Sequence, residues 1–104
     1  MGRKTKHRKD GNQDDLVKLI RNHGASWLNT SQNPISGSLD GLIGWYGVDQ
    51  RVEIKDPIQP TSKRKLTPAE KETFDLWKGR KPVIIETPSD VILLLRSMQT
   101  DALR

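Results

Sequence analysis

The sequence predicts one small α/β (α+β) domain in which a mixed β-sheet is flanked by helices. Three observations support this class. The chain has 104 residues, of which 33% are hydrophobic, which suits a single modest core. Apolar positions follow a helical spacing in some segments and form short strand-like runs in others. The two kinds of segment are interleaved, which gives the predicted order α-β-β-β-α-β-α.

In the first half of the chain, one predicted helix is followed by three predicted strands. Asn12 can cap the helix, and Gly24 can end it. Two later apolar runs are separated by a turn-like segment, so they should pair as a hairpin. The expected elements are a helix over about 13–22, a strand within 25–28, a loop over 29–37, and hairpin strands at 42–46 and 51–55 around a turn at 47–50.

The second half carries the same helix-start pattern twice. Thr67 and Thr87 are each followed by proline and, three residues on, by an acid, which is typical of a capping box. The expected elements are a loop over 56–65, a helix from 67 to about 78, a strand at 83–85 and a helix from 87 to about 98. Because a helix connects the strands at 51–55 and 83–85, these strands should be parallel, with a right-handed crossover. The predicted domain spans 12–98, between a disordered basic arm at 1–11 and a flexible tail at 99–104.

Composition excludes several functional classes. The chain has no cysteine, which rules out disulfides, thiolate catalysis and cysteine-rich zinc sites. Its longest apolar run, Val91–Leu95, is too short to span a membrane, and no secretory signal is visible. The expected location is therefore the cytoplasm, with no membrane partner.

Basic residues are concentrated in two places. The net charge is +5, and residues 1–9 alone account for it because they contain five basic residues and no acid. The predicted DNA-binding residues are those of this arm, Arg3, Lys4, Lys6, Arg8 and Lys9, and those of a loop cluster, Lys63, Arg64 and Lys65. Such clusters bind nucleic acid phosphates, although a solvated arm and a solvated loop would have the same composition.

Two carboxylates and one amine form the candidate catalytic site. If 52–55 is a strand, Glu53 and Lys55 share the face opposite the core, and the hairpin brings Asp40 close to them. Asp40, Glu53 and the backbone carbonyl of Ile54 could hold Mg²⁺ or Mn²⁺, with Lys55 beside the attacking water. This set suits metal-assisted hydrolysis of a phosphodiester. The plainer alternative is a solvated strand face, on which Glu and Lys commonly alternate.

The anchors of a family resemblance extend over about residues 12–95. They are Asn12-Gln13-Asp14-Asp15, Asp40, Glu53-Ile54-Lys55-Asp56, and Lys65-Leu66-Thr67-Pro68-Ala69-Glu70 followed by Phe74 and Trp77. In these residues and in element order the chain resembles the PD-(D/E)xK nuclease superfamily, within it the small phage and bacterial proteins of the VRR-NUC and Holliday-junction-resolvase type.

The resemblance implies a restriction-endonuclease-like αβββαβ core and a Mg²⁺-dependent DNA endonuclease. Asp40 and Glu53 would be metal ligands and Lys55 the catalytic lysine. Asp15 matches a further acid that this family often carries on its first helix, although an acid there also suits the helix dipole. A homodimer acting on branched DNA such as a Holliday junction is the implied assembly, located in the host cytoplasm if the protein is phage-encoded.

One motif departs from the family pattern. The first motif is commonly Pro-Asp followed by an apolar residue, whereas this chain has Leu39-Asp40-Gly41. The departure favours an alternative function, a DNA-binding module of the same fold with an inactive site. Two further alternatives are a nonspecific or duplex nuclease and a structural or interaction protein whose hairpin face is solvated.

Overall fold

A computed structural model describes residues 11–104 except 34 and 36. It is a mixed α+β structure with three helices and one four-stranded sheet. The elements are α1 (Gln13–Asn22), β1 (Ser26–Asn29), β2 (Gly41–Trp45), β3 (Val48–Ile54), α2 (Pro68–Leu76), β4 (Val83–Ile85) and α3 (Pro88–Ala102), with a short 3₁₀ turn at Thr61–Lys63. The order predicted from the sequence is confirmed.

The sheet has the strand order β1-β2-β3-β4. β2 pairs antiparallel with both β1 and β3, and Gly41 lies opposite Val52. β4 runs parallel to β3, as its helical connection predicts, and Ile54 pairs with Ile85. The mixed sheet therefore brings the carboxyl ends of β3 and β4 to the same end as the start of β2.

The core lies between the sheet and two of the helices. Its buried residues come from α1, α3 and the inward positions of the strands: Leu16, Val17, Ile20, Ala25, Ile43, Val52, Ile54, Ile85, Val91, Leu94, Leu95 and Met98. Helix α2, in contrast, has no buried residue. None of the described helices is long and apolar enough to cross a membrane.

The β2–β3 hairpin turns earlier than predicted. Tyr46 and Gly47 have φ values of 54° and 76°, so the turn consists of these two residues. A turn with two consecutive residues of positive φ has a backbone twist that matches that of the flanking strands. Two-residue hairpins favour such turns for this reason. β3 consequently begins at Val48, and the turn expected over 47–50 is wrong.

The ends of the two C-terminal helices also differ from the expected ones. α2 ends at Leu76, where Lys81 donates hydrogen bonds from Nζ to the carbonyls of Phe74 and Asp75 at 3.4 and 3.2 Å. α3 continues to Ala102, one turn past its expected end, into the segment predicted as a flexible tail. No proline or glycine follows Met98, so nothing in the sequence stops the helix there.

Candidate active site

Asp40 and Glu53 meet at the open end of the hairpin. Asp40 immediately precedes β2, and the Gly41–Val52 pair brings Asp40 opposite Glu53. The Asp40 N–H donates to Glu53 Oε1 at 3.2 Å, and the Ile54 N–H donates to Asp40 Oδ2 at 2.7 Å. The Glu53 carboxyl group therefore contacts the backbone of Asp40, and the Asp40 carboxylate contacts the backbone of Ile54, the residue after Glu53.

Glu53 and Lys55 are buried although they lie on the sheet face opposite the core. Val52 and Ile54 contribute to the core with α1 and α3, so the alternating residues point the other way. Glu53 is 5% exposed and Lys55 8% exposed. A solvated strand face would leave both side chains in water, so that explanation of the Glu-Lys pattern is contradicted.

Glu70 is a third carboxylate of the cluster. Lys55 Nζ lies 3.3 Å from Glu53 Oε2 and 3.3 Å from Glu70 Oε1. The sequence analysis named Glu70 as the acid of a capping box and as part of a resemblance anchor, without a role in the site, and Glu70 does accept the Thr67 N–H at 2.9 Å. The capping pattern alone accounts for a glutamate at this position. Its second contact, with Lys55, depends on the conformation of the loop 56–67, which the sequence pattern does not predict.

Burial and crowding shift the ionisation of these groups. Burial, followed by the charges of Asp40 and Glu70, raises the pKa of Glu53 from 4.5 to about 9, although Lys55 opposes this. Burial lowers the pKa of Lys55, but Glu53 and Glu70 outweigh it and raise the pKa overall. Burial also disfavours ionised Glu70, but its bond from the Thr67 N–H and its contacts with Glu53 and Lys55 lower its pKa. The single ammonium group of Lys55 therefore does not balance the negative charge that the three carboxyl groups would carry if all were ionised.

The candidate metal donors are oxygen atoms, the ligand type that hard divalent cations prefer. Backbone N–H and C=O groups of one strand residue point to the same side, so the Ile54 carbonyl lies on the side of Asp40. Among the described residues, no group of three or more His, Cys, Asp or Glu side chains is arranged to hold a metal. Mg²⁺ needs only one or two carboxylates because it retains several waters. Asp40, Glu53 and the Ile54 carbonyl are the residues that could hold such an ion.

The residues on either side of Asp40 are explained by packing. Leu39 is buried. A Cβ atom at Gly41 would lie 2.1 to 2.6 Å from three ring atoms of Trp27, so the indole occupies the space of a side chain. The backbone around Asp40 is also fixed by Thr30, whose N–H donates to the Asp40 carbonyl at 2.9 Å. Burial thus suits Leu39, and the Trp27 ring of the neighbouring strand suits Gly41. The Asp40 carboxylate between them still accepts the Ile54 N–H.

The start of α1 supports the site in a way that differs from the prediction. The expected capping bond from the Asn12 side chain is absent among the described contacts. Its amide instead donates from Nδ2 to the Lys55 carbonyl at 3.1 Å and to the Glu86 carbonyl at 2.8 Å, which ties together the ends of β3 and β4. Asp15 is exposed in the first turn of α1, where an acid suits the helix dipole. The described contacts of the cluster do not include Asp15.

The predicted DNA-binding residues of the loop divide into two kinds. Lys63 and Lys65 are exposed. Arg64 is partly buried, and its Nη1 lies 3.6 Å from Glu86 Oε2, so an ion pair holds it to the protein. The arm residues Arg3, Lys4, Lys6, Arg8 and Lys9 lie outside the described residues.

A scan against protein-family models and searches of curated proteins and of solved structures found no match to this chain. Any function must therefore be inferred from the residues of this chain and their geometry.

Proposed function

We propose that the protein is a Mg²⁺-dependent DNA endonuclease with a restriction-endonuclease-like fold, related to the PD-(D/E)xK nucleases. The observation that carries the proposal is the cluster of Asp40, Glu53 and Lys55 at the end of the hairpin, in which Glu53 and Lys55 are buried. Burying a lysine and a carboxyl group is costly, so such a cluster in a 104-residue domain favours a functional role.

Asp40, Glu53 and the Ile54 carbonyl are the proposed ligands of the ion. A bound divalent cation would neutralise phosphate charge and lower the pKa of an attacking water. Glu53 must release its proton to act as a ligand. The cation would favour this release because its positive charge would offset the burial and the repulsion by Asp40 and Glu70 that raise the pKa of Glu53.

Lys55 acts in this proposal as a cation and not as a base. The two glutamates raise its pKa, so its ammonium group keeps its proton at neutral pH. A protonated lysine can donate hydrogen bonds to the phosphate oxygens and stabilise the negative charge that develops as water attacks phosphorus.

The proposed substrate is branched DNA, bound by a homodimer in the cytoplasm of a bacterial or phage-infected cell. The exposed Lys63 and Lys65, together with the basic arm, supply the charges that would contact phosphates. Two copies would present two sites, one for each of two strands. An inactive DNA-binding module is the second candidate, favoured by the lack of a three-residue ligand group among the described residues.

A cleavage panel tests the proposal. Linear, nicked, flapped and four-way DNA would be incubated with the protein in Mg²⁺, Mn²⁺ or EDTA. We expect cleavage with either metal, strongest on the branched substrates, and none with EDTA. Cleavage in EDTA would contradict the metal mechanism, and binding without cleavage would favour the inactive module.

Lys55→Ala separates chemistry from binding. We expect this variant to lose cleavage, by about a hundredfold or more, because the charge beside the reacting phosphate is removed. Its affinity for DNA, measured by fluorescence anisotropy in EDTA, should change little because Lys63, Lys65 and the arm supply most of the proposed phosphate contacts. Full cleavage by the variant would remove Lys55 from the site.

A further inference from the structure

One carboxylate oxygen of Glu70 accepts hydrogen bonds from two donors, a backbone N–H and a lysine ammonium group. Glu70 Oε1 accepts the backbone N–H of Thr67 at 2.9 Å and lies 3.3 Å from Lys55 Nζ. The first bond belongs to the capping box that starts α2. The second reaches Lys55, directly after β3, so this oxygen connects the start of α2 to the candidate active site.

We propose that Glu70 is a positioning residue that holds the Lys55 ammonium group for catalysis. The proposal rests on the proposed nuclease function, but it adds a residue and a role beyond the ligand set and the lysine. Glu70 would act through Lys55 and would not touch the metal or the substrate.

The need for Glu70 follows from the competing demands on Glu53. Lys55 Nζ lies at equal distances from a carboxyl oxygen of Glu53 and one of Glu70. A Glu53 carboxylate that ligates a cation would share its negative charge with that cation, so its attraction for Lys55 would be weak. Glu70 then remains the partner that keeps a nearly buried ammonium group paired.

The capping box makes Glu70 a more rigid partner than a free side chain would be. Its carboxylate is held by the Thr67 N–H, and Glu70 N in turn donates to Thr67 Oγ1 at 3.2 Å. A long lysine side chain loses much rotamer freedom when it is fixed, so a fixed acceptor reduces the misplacement of its ammonium group.

The chain offers a variant that separates this role from capping. Glutamine also serves at the third position of a capping box, so Glu70→Gln keeps the bond to Thr67 and the side-chain volume but removes the charge. Glu72→Gln is the matched control because Glu72 is exposed on the same helix. It removes the same charge from α2 without altering the described contacts of Lys55.

Lysine acylation followed by mass spectrometry tests the contact without any nuclease activity. The wild-type protein and both variants would be labelled in EDTA, with exposed Lys71 as the internal reference. We expect Glu70→Gln to accelerate labelling of Lys55 by about tenfold. With one negatively charged partner fewer, its ammonium group leaves the cluster more often. Glu72→Gln should match the wild type. Equal labelling of Lys55 in the wild type and Glu70→Gln would overturn the proposal.

Cleavage kinetics then test the catalytic consequence. For Glu70→Gln we expect kcat to fall by roughly ten- to a hundredfold, with the KM for DNA unchanged and no increase in the Mg²⁺ concentration at half-maximal rate. A large increase in that Mg²⁺ concentration would make Glu70 a metal ligand and overturn its positioning role. If the wild type cleaves no DNA but Lys55 labelling responds to Glu70→Gln, the nuclease function fails while the contact between Glu70 and Lys55 stands.

Discussion

At the scale of single residues, Glu53 is a buried carboxyl group that faces two other carboxyl groups and one ammonium group. Its pKa is raised from 4.5 to about 9 by burial first and then by Asp40 and Glu70. The folded chain therefore binds the Glu53 proton more tightly than the unfolded chain does. The stability that this proton contributes is complete below pH 4.5 and is lost as the pH rises toward about 9.

Glu53→Gln should accordingly stabilise the metal-free protein, because glutamine resembles the protonated carboxyl group and cannot ionise. In EDTA we expect the Tm difference between variant and wild type to widen from pH 5 to pH 9, with a free-energy slope of at most about 1.4 kcal/mol per pH unit. Thermal unfolding followed by circular dichroism measures this, with exposed Glu72→Gln as the control. A Tm difference independent of pH would show that Glu53 is ionised in the folded protein.

Gly41 illustrates a residue whose role is steric. A Cβ atom there would overlap the Trp27 ring, whereas a Cβ atom at Gly44 on the same strand would lie 3.5 Å from Ser26, an ordinary contact. We expect Gly41→Ala to cost about 1–3 kcal/mol of unfolding free energy through overpacking. Gly44→Ala should be neutral or slightly stabilising. Urea denaturation distinguishes them, and equal stabilities would show that the Trp27 ring moves aside without cost.

At the scale of elements, α2 and α3 begin with the same capping box but differ in packing. Thr67 and Thr87 each accept the N–H of an acid three residues on. α3 places four residues in the core, whereas α2 has no buried residue. Besides Glu70, α2 is held by polar contacts such as Thr73 Oγ1 to the Gly37 carbonyl at 2.8 Å. α2 should therefore open locally, and α3 only when the whole domain unfolds.

Removing each cap tests this difference. Thr87→Ala should lower the global unfolding free energy by about 1 kcal/mol, because α3 unfolds with the core. Thr67→Ala should leave the global value nearly unchanged but accelerate amide hydrogen exchange in the first turns of α2. Hydrogen exchange with mass spectrometry, together with urea denaturation, measures both effects. Equal global losses in the two variants would mean that α2 unfolds together with the core.

Element types were predictable from the sequence because their signals are local. The apolar spacing after Asn12 and the two Thr-Pro starts depend on neighbouring residues, and all three helices form where these signals indicate. The turn at Tyr46-Gly47 was not recognised because a tyrosine rarely adopts positive φ. The contact of Glu70 with Lys55 depends on the conformation of the loop between β3 and α2, which local sequence patterns do not predict.

At the scale of the whole molecule, the excess positive charge is concentrated at one end of the sequence. Residues 10–104 contain thirteen basic and thirteen acidic residues, so the net charge resides in the arm at 1–9. The cluster around Glu53 is itself short of positive charge. Under the proposed function, DNA would therefore be attracted mainly by the arm and by the exposed Lys63 and Lys65, and the cluster around Glu53 would accept a phosphate only together with a divalent cation.

Deleting residues 1–9 should weaken DNA binding and reduce its dependence on salt. The slope of log K against log salt is negative, and each phosphate contact that is lost should make it less negative by about 0.9, because fewer counterions are released. A double substitution, Lys63→Ser with Lys65→Ser, should have a smaller effect of the same kind. Lys71→Ser is the control, because Lys71 is paired with Asp75 at 3.0 Å. Anisotropy titrations at several salt concentrations measure the slopes, and an unchanged slope after the deletion would mean that the arm makes no phosphate contacts.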